Sequence, residues 1–386
     1  MRIFGEGGDY YDFSLLAVIV LLITFGLIML YSTSAYTAEV QFSNDMYYFK
    51  KQAMISAGCI VLAVAISFLD YHLLDKIGFP LYISAIVMMV LVRYSPLGEE
   101  SHGAKRWLKL IPGFSFQPAE VSKIALIIFL SGLIVQMGRK NIRTLQGAGK
   151  VLLAGGVQAF SAYYFTDNLS TAIIIFGITM GMLFIAHPNY KLFAILAVAG
   201  LAAIALFVFY IQKTVVLTDD TQFRLRRILV WLHPENYASG DGYQTLQALY
   251  AIGSGGLLGR GLGNSIQKLG SVPEAQNDFI FSIICEELGI LGGIILLLFF
   301  GYLLYRLFFI AQNAPDMFGS LLVSGIFIHI ALQVVLNISV VLNLLPNTGV
   351  TLPFISYGGT SVLFLMGEMG IALSVARQIR FRKALL

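Results

Sequence analysis

Apolar runs of about twenty residues recur from Phe13 to Ala376, and a helix of about 20 residues is what the hydrocarbon core of a bilayer requires. This repetition leaves the chain few options. In lipid every backbone N–H and C=O must find its partner inside the protein, so helices are the spanning structure. Charged residues make up only 12% of the chain and mean hydropathy is +0.80; a soluble chain carries about twice that charged fraction. The sequence therefore predicts an all-α integral membrane protein, a single polytopic domain over 1–386. Ten spans are expected, at about 13–31, 52–69, 76–93, 119–137, 151–165, 169–186, 191–211, 278–300, 318–342 and 355–376. The fifth is the weakest, being short and holding Gln158. The run 13–31 is too long for the core of a cleavable signal and more spans follow it.

An even number of spans puts both termini on one side. Arg2, Lys76, Arg139, Lys140, Arg143, Lys150, Lys191, Arg306, Arg377, Arg380, Arg382 and Lys383 gather there, and the excess of Lys and Arg makes that side cytoplasmic. The loop 212–277, about 65 residues and far beyond an ordinary connection, is then extracytoplasmic. So are Lys105, Arg106, Lys109, Lys123, Arg224, Arg260 and Lys268. Cations held against the orientation bias near a membrane surface point to an anionic ligand, with phosphate or diphosphate the best match for guanidinium geometry. Cys59 and Cys285 lie inside apolar runs, and the five histidines are scattered, so neither a disulfide nor a metal site is expected from them.

Within the large loop, Tyr243 to Ile252 has the pattern of an amphipathic helix. The glycines of GRGLG at 259–263 follow no strand, which sets a nucleotide site aside; they suit tight turns and close approach of backbone to a ligand. The loop ends in VPEAQNDFIFSIICEELG at 272–289, where Glu274, Asp278, Glu286 and Glu287 crowd the entry to the eighth span. Asp278 has two readings: a helix cap, or a functional carboxylate at the bilayer boundary. If the helix runs straight on, Glu286 and Glu287 lie about 12–14 Å deeper. A second irregular stretch, NLLPNTGVTLPFISYGGTS at 343–361, holds too much Pro and Gly for an unbroken helix; non-helical backbone at membrane depth lines a cavity or is buried by protein.

Three segments carry a family resemblance: GAKRWLKL…FSFQPAEVSK (103–123), GYQTLQALYAIGSGGLLGRGLGNSIQKLGSVPEAQNDFIFSIICEELG (242–289) and LLPNTGVTLPFISYGGTS (344–361). Long, separated and in order, they resemble the signature segments of the SEDS proteins, the FtsW, RodA and SpoVE group of shape, elongation, division and sporulation proteins. The resemblance implies a peptidoglycan glycosyltransferase that polymerises lipid II at the outer face of the cytoplasmic membrane, beside a class B penicillin-binding transpeptidase. It places the family's essential aspartate at Asp278, and further functional positions at Glu120, Lys123, Lys268, Glu274 and Glu287, with Arg106 ahead of the fourth span. One departure is plain. Where the family reads something like QPDLGT, this chain has FTDNLST at 165–171, which leaves a role for Asp167 open. Glu368 stands in the tenth span where an uncharged residue is expected; a buried partner or a span end nearer water would account for it.

The implied chemistry joins two lipid-linked disaccharides. A sugar hydroxyl is a weak nucleophile, so a positioned carboxylate, Asp278, takes its proton as the bond forms, help worth about 10²–10⁴-fold. A single displacement inverts the anomeric centre and yields a β-1,4 link, with polyprenyl diphosphate leaving. Arg106, Lys123, Arg224 and Lys268 are the expected cations for that leaving group, and Glu120, Glu274, Glu287 and Ser356 complete the expected substrate contacts. A divalent cation such as Mg or Mn could share the task. Membrane lipids and the transpeptidase are the expected partners, nucleic acid is not one, and a lipid II flippase is the alternative reading.

Overall fold

The computed structural model describes residues 11–380 apart from 102–103, 112–113, 188, 215–222, 241 and 271. Long helices dominate it: α1 (Phe13–Phe42), α2 (Tyr47–Ser67), α3 (Leu73–Tyr94), α4 (Pro118–Ile142), α5 (Leu145–Phe165), α6 (Leu169–Ala186) and α7 (Tyr190–Thr214). After the shorter α8 (Phe223–Leu232) and α9 (Tyr243–Gly255) come α10 (Ile280–Asn313), α11 (Met317–Val341) and α12 (Gly359–Arg377). Among the described residues nine helices are long and apolar enough to cross a membrane. The fifth expected span, which is not among these nine, is α5, a helix of 21 residues that is less apolar and packs among α3, α4 and α6. Buried residues from Leu15 to Ile379 form one continuous core, whereas α7 stays largely exposed over 193–213.

Polar contacts sort the bundle into two ends. At one, Arg306 pairs with Asp12 at the start of α1, and His72 bridges Asp70 and Asp316 with ring nitrogens 2.7 and 3.0 Å away. Tyr71 also donates to Asp316. The carboxyl of Asp70 falls to about 2, chiefly through bonds from Gln378 and His72. The opposite end, the Asp278 end, carries α8, α9, residues 272–279 and the stretch 343–358. It also holds an element absent from the sequence reading, a three-stranded antiparallel sheet of β1 (Gly98–Ser101), β2 (Ala104–Ile111) and β3 (Phe114–Phe116). Alternation in AKRWLKLI, with Leu108 buried between exposed Lys109 and half-buried Trp107, is the strand signal that was available.

Two features of the long helices go beyond the expected straight spans. In α10 the chain breaks at Gly289 (φ 71, ψ −173); residues 290–313, about 36 Å at the usual rise, suffice to cross the membrane alone. Residues 280–287, before the break, are buried on every side. The second feature concerns Glu368, whose carboxylate meets His329 Nδ1 at 2.8 Å, both side chains fully enclosed. Of the two explanations the sequence left, the buried partner is the one observed.

Candidate active site

Asp278 lies in a turn immediately before α10, half-buried. The residue at the helix cap is Phe279, which makes no side-chain cap bond, and Asp278 stands one position before it. Two loops meet at the carboxylate. A methyl group placed on Gly349, itself at φ +67, would sit 3.9 Å from Asp278 Oδ2. The Tyr357 N–H donates to Gln276 O at 2.9 Å, and Asn337 from α11 donates to Asp278 O at 2.7 Å.

The break in α10 has a partner. Chain ends at a helix break leave N–H and C=O groups unsatisfied, and here the glycine-rich loop supplies them. Arg260 and Gly261 donate their N–H to the carbonyls of Glu286 and Glu287 at 3.0 and 2.9 Å, while Ile290 and Leu291 donate to Gly256 and Leu257. The backbones come too close for side chains: a Cβ on Gly259 would lie 2.2 Å from Glu287 O, and one on Gly289 2.3 Å from Leu257 O. The glycines thus admit another strand of backbone, where a ligand had been expected.

Glu286 and Glu287 lock the same junction. Glu287 meets Lys268 Nζ at 2.8 Å and accepts from Ser32 of α1 at 2.7 Å. Glu286 accepts from the Ser265 hydroxyl and from Ile266 N–H at 3.1 Å. Both glutamates are buried, at 1% and 0% exposure. They do not lie deeper in the bundle than Asp278. Ser32 lies about 28 Å along α1 from its start, and Asn337 about 30 Å along α11 from its start, so the two ends of the segment 280–288 sit at similar height. The 12–14 Å descent fails because the helix turns at Gly289.

The remaining predicted site residues divide. Lys123 is buried at 2% exposure, 2.9 Å from Glu120 and 3.5 Å from Gln333 Oε1; Gln333 in turn donates to Thr351 O at 3.1 Å. This pair therefore joins the wall that holds Asp278. Lys268 is turned into the protein: its ammonium donates to Glu287, to Ser32 at 3.0 Å and to Gly263 O at 2.7 Å, using all three of its donors. Ser356 is also turned inward, accepting from Leu352 N–H at 2.8 Å. Glu274 is exposed, at φ 49, and accepts from Asn277 at 2.9 Å. Arg106 forms a second cluster, donating to Asp167 O at 3.2 Å, while Arg93 reaches the Asp167 carboxylate at 3.5 Å. Burial pushes the Arg106 guanidinium down, with the charge of Asp167 opposing. The backbone of Arg224 falls within α8, but its side chain lies outside the described residues.

The stretch 343–358 joins these parts. It accepts from Ser170 of α6 on Thr348 O and from Arg227 and Trp231 of α8 on Asn347 O and Asn343 O at 3.1 and 3.0 Å, and its Gly358 N–H donates to Gln52 Oε1 of α2 at 3.4 Å. Sequence reading missed Asn337, Gln333 and His329. Their spacing of four along an apolar run was the available signal, since it puts three polar groups on one helix face. Among the described residues no three His, Cys, Asp or Glu side chains are grouped to hold a metal ion.

A multi-pass bundle of apolar helices, with a carboxylate and a buried Lys–Glu pair walled in at one end by irregular backbone, defines an integral membrane protein. The family model described as "Cell cycle protein" (FTSW_RODA_SPOVE) matches residues 13–381. The chain belongs to this family. It is 37% identical to stage V sporulation protein E of Bacillus subtilis, covering 96% of this chain and 98% of that protein. It is 36% identical to the probable peptidoglycan glycosyltransferase FtsW of Trichlorobacter lovleyi, covering 96% and 94%. Among solved structures it resembles the rod shape determining protein RodA of Thermus thermophilus, at TM-score 0.66 and 25% identity over 96% and 98% of the chains. A chain of a peptidoglycan synthase complex, described as coordinating polymerization and crosslinking, superposes at TM-score 0.75 with 26% identity, covering 95% and 98%.

Proposed function

We propose that this chain is a peptidoglycan glycosyltransferase that polymerises lipid II into β-1,4 glycan strands, with the Asp278 end on the outer face of the cytoplasmic membrane and both termini inside. The enzyme class rests on relatives named for that activity. The mechanism rests on one observation: Asp278 is a half-buried carboxylate at the mouth of a broken helix, with loop backbone on both sides. In this reading Asp278 removes the proton from the acceptor hydroxyl as it attacks the donor sugar, the anomeric carbon inverts, and polyprenyl diphosphate leaves. General-base help of this kind is worth about 10²–10⁴-fold. Lys123, held by Glu120, and Arg106 offset charge building on the diphosphate; Lys268 and Ser356 support the walls and take no part in binding. A divalent cation, where one takes part, would offset charge on the leaving diphosphate, and chelation in the same assay reads out that contribution. The partner is a class B penicillin-binding transpeptidase, by likeness to a chain from a complex that couples polymerization with crosslinking.

Purified protein with fluorescent lipid II tests this reading. The wild type yields glycan ladders; Asp278→Asn yields none at unchanged expression and monodispersity. Wild-type ladders from Asp278→Asn remove it as the base, and a protein that moves lipid II across vesicles without ladders is a flippase.

A further inference from the structure

The proposed base and the proposed cation come from different parts of the chain, and α11 touches both through adjacent turns of one face. Asn337 is 1% exposed. Its amide donates twice at 2.7 Å, once to Asp278 O and once to Val350 O. Four residues earlier, and so one turn along the same face, Gln333 donates to Thr351 O and accepts from Lys123 Nζ. Val350 and Thr351 are neighbours, directly after Gly349, where an added Cβ would lie 3.9 Å from Asp278 Oδ2. Two amides on one helix therefore fasten one short length of backbone, and through it fix a carboxylate and an ammonium relative to each other.

We infer that Asn337 is a positioning residue for the reaction: it holds the Asp278 main chain against the 349–351 segment and so aims the carboxylate. The inference rests on the proposed role of Asp278. Both bonds reach backbone carbonyls, not the Asp278 side chain, so Asn337 leaves the acidity of the carboxylate to its surroundings and controls only where it points. A side-chain amide bonded to two carbonyls in a buried site is rigid, because each carbonyl has few other donors within reach. Proton removal in a displacement reaction is sensitive to such placement; a shift of about 1 Å costs about 10²-fold in rate.

The test uses full-length protein in detergent with lipid II as substrate, measuring kcat, KM and thermal midpoint for Asn337→Asp and Asn337→Gln, with Asp278→Asn alongside. Asn337→Asp keeps the shape but loses the donor; it should lower kcat about 10²-fold with KM changed less than about threefold, the pattern of an interaction felt only in the transition state. Asn337→Gln keeps a donor on a longer arm; it should hold the thermal midpoint yet lose at least about tenfold in kcat, which a purely structural hydrogen bond would not produce. The inference is overturned if either folded variant retains wild-type kcat, or if neither variant can be recovered folded, since Asn337 would then be structural. Should Asp278→Asn itself polymerise normally, the general-base reading fails first, whatever Asn337 does.

Discussion

Two buried lysine–glutamate pairs at the same end of the bundle behave differently. Lys268 and Glu287 close on each other with Ser32 and Gly263 completing the shell, so every ammonium donor has an acceptor. Lys123 meets Glu120 at 2.9 Å and, among the described residues, only Gln333 besides, at 3.5 Å. Burial alone does not separate them, at 9% and 2% exposure. Saturation does. An ammonium with three good acceptors is fastening the fold, and one with a donor in hand can serve an incoming anion.

The largest expected effect would break this distinction if absent. Lys268→Met leaves Glu287 charged, buried and unpaired, which costs about 3–5 kcal/mol; a collapse of folded yield and thermal midpoint in detergent is expected. Lys123→Met, by contrast, should retain most of its stability and lose about 10²–10³-fold in turnover, the usual loss when one charge-stabilising donor is removed. Equal thermal losses in the two variants would show that both lysines are structural. Next in size is Gly259→Ala, which puts a methyl group against Glu287 O at a positive φ. Such strain costs about 1–3 kcal/mol, and limited proteolysis should find 256–268 more easily cut while α1–α6 remain protected.

The smallest effect belongs to the opposite end. His72 is raised above its ordinary value, first by its bond with Asp70. Its stabilisation is therefore full below about pH 6.5 and lost as pH rises through the folded value. Because the ring is half exposed, the worth of the pair is small. Thermal midpoint should fall about 1–2 °C as pH climbs from 6 to 9, and His72→Ala should flatten that slope.

Much of the fold was legible because spanning helices write themselves as long apolar runs: the expected 169–186 and the observed α6, Leu169–Ala186, coincide. Breaks were harder to read. Gly289 looks like any glycine in a membrane helix, and only the partner loop reveals that it turns the chain. The sheet was hidden for a related reason, since its strands are 4, 8 and 3 residues long and only β2 is long enough to show alternation. At the site, the charges of Asp278 and Lys123 stood out against apolar surroundings, whereas Glu120 was singled out only through the family resemblance. The inward direction of Lys268 and Ser356 could not, because acceptors from α1 and from the loop itself are brought up by tertiary contacts. Asn337 was overlooked because a single amide in an apolar run reads as helix packing.

The stretch 343–358 is tied to α2, α6, α8 and α11, and it also borders Asp278. Such a segment acts as a summing junction. A push on any of those helices, whether from a bound subunit or from a thinner bilayer, would bear on the same few peptide groups. Control over turnover would then need no dedicated sensor, only a hand on whichever helix is within reach.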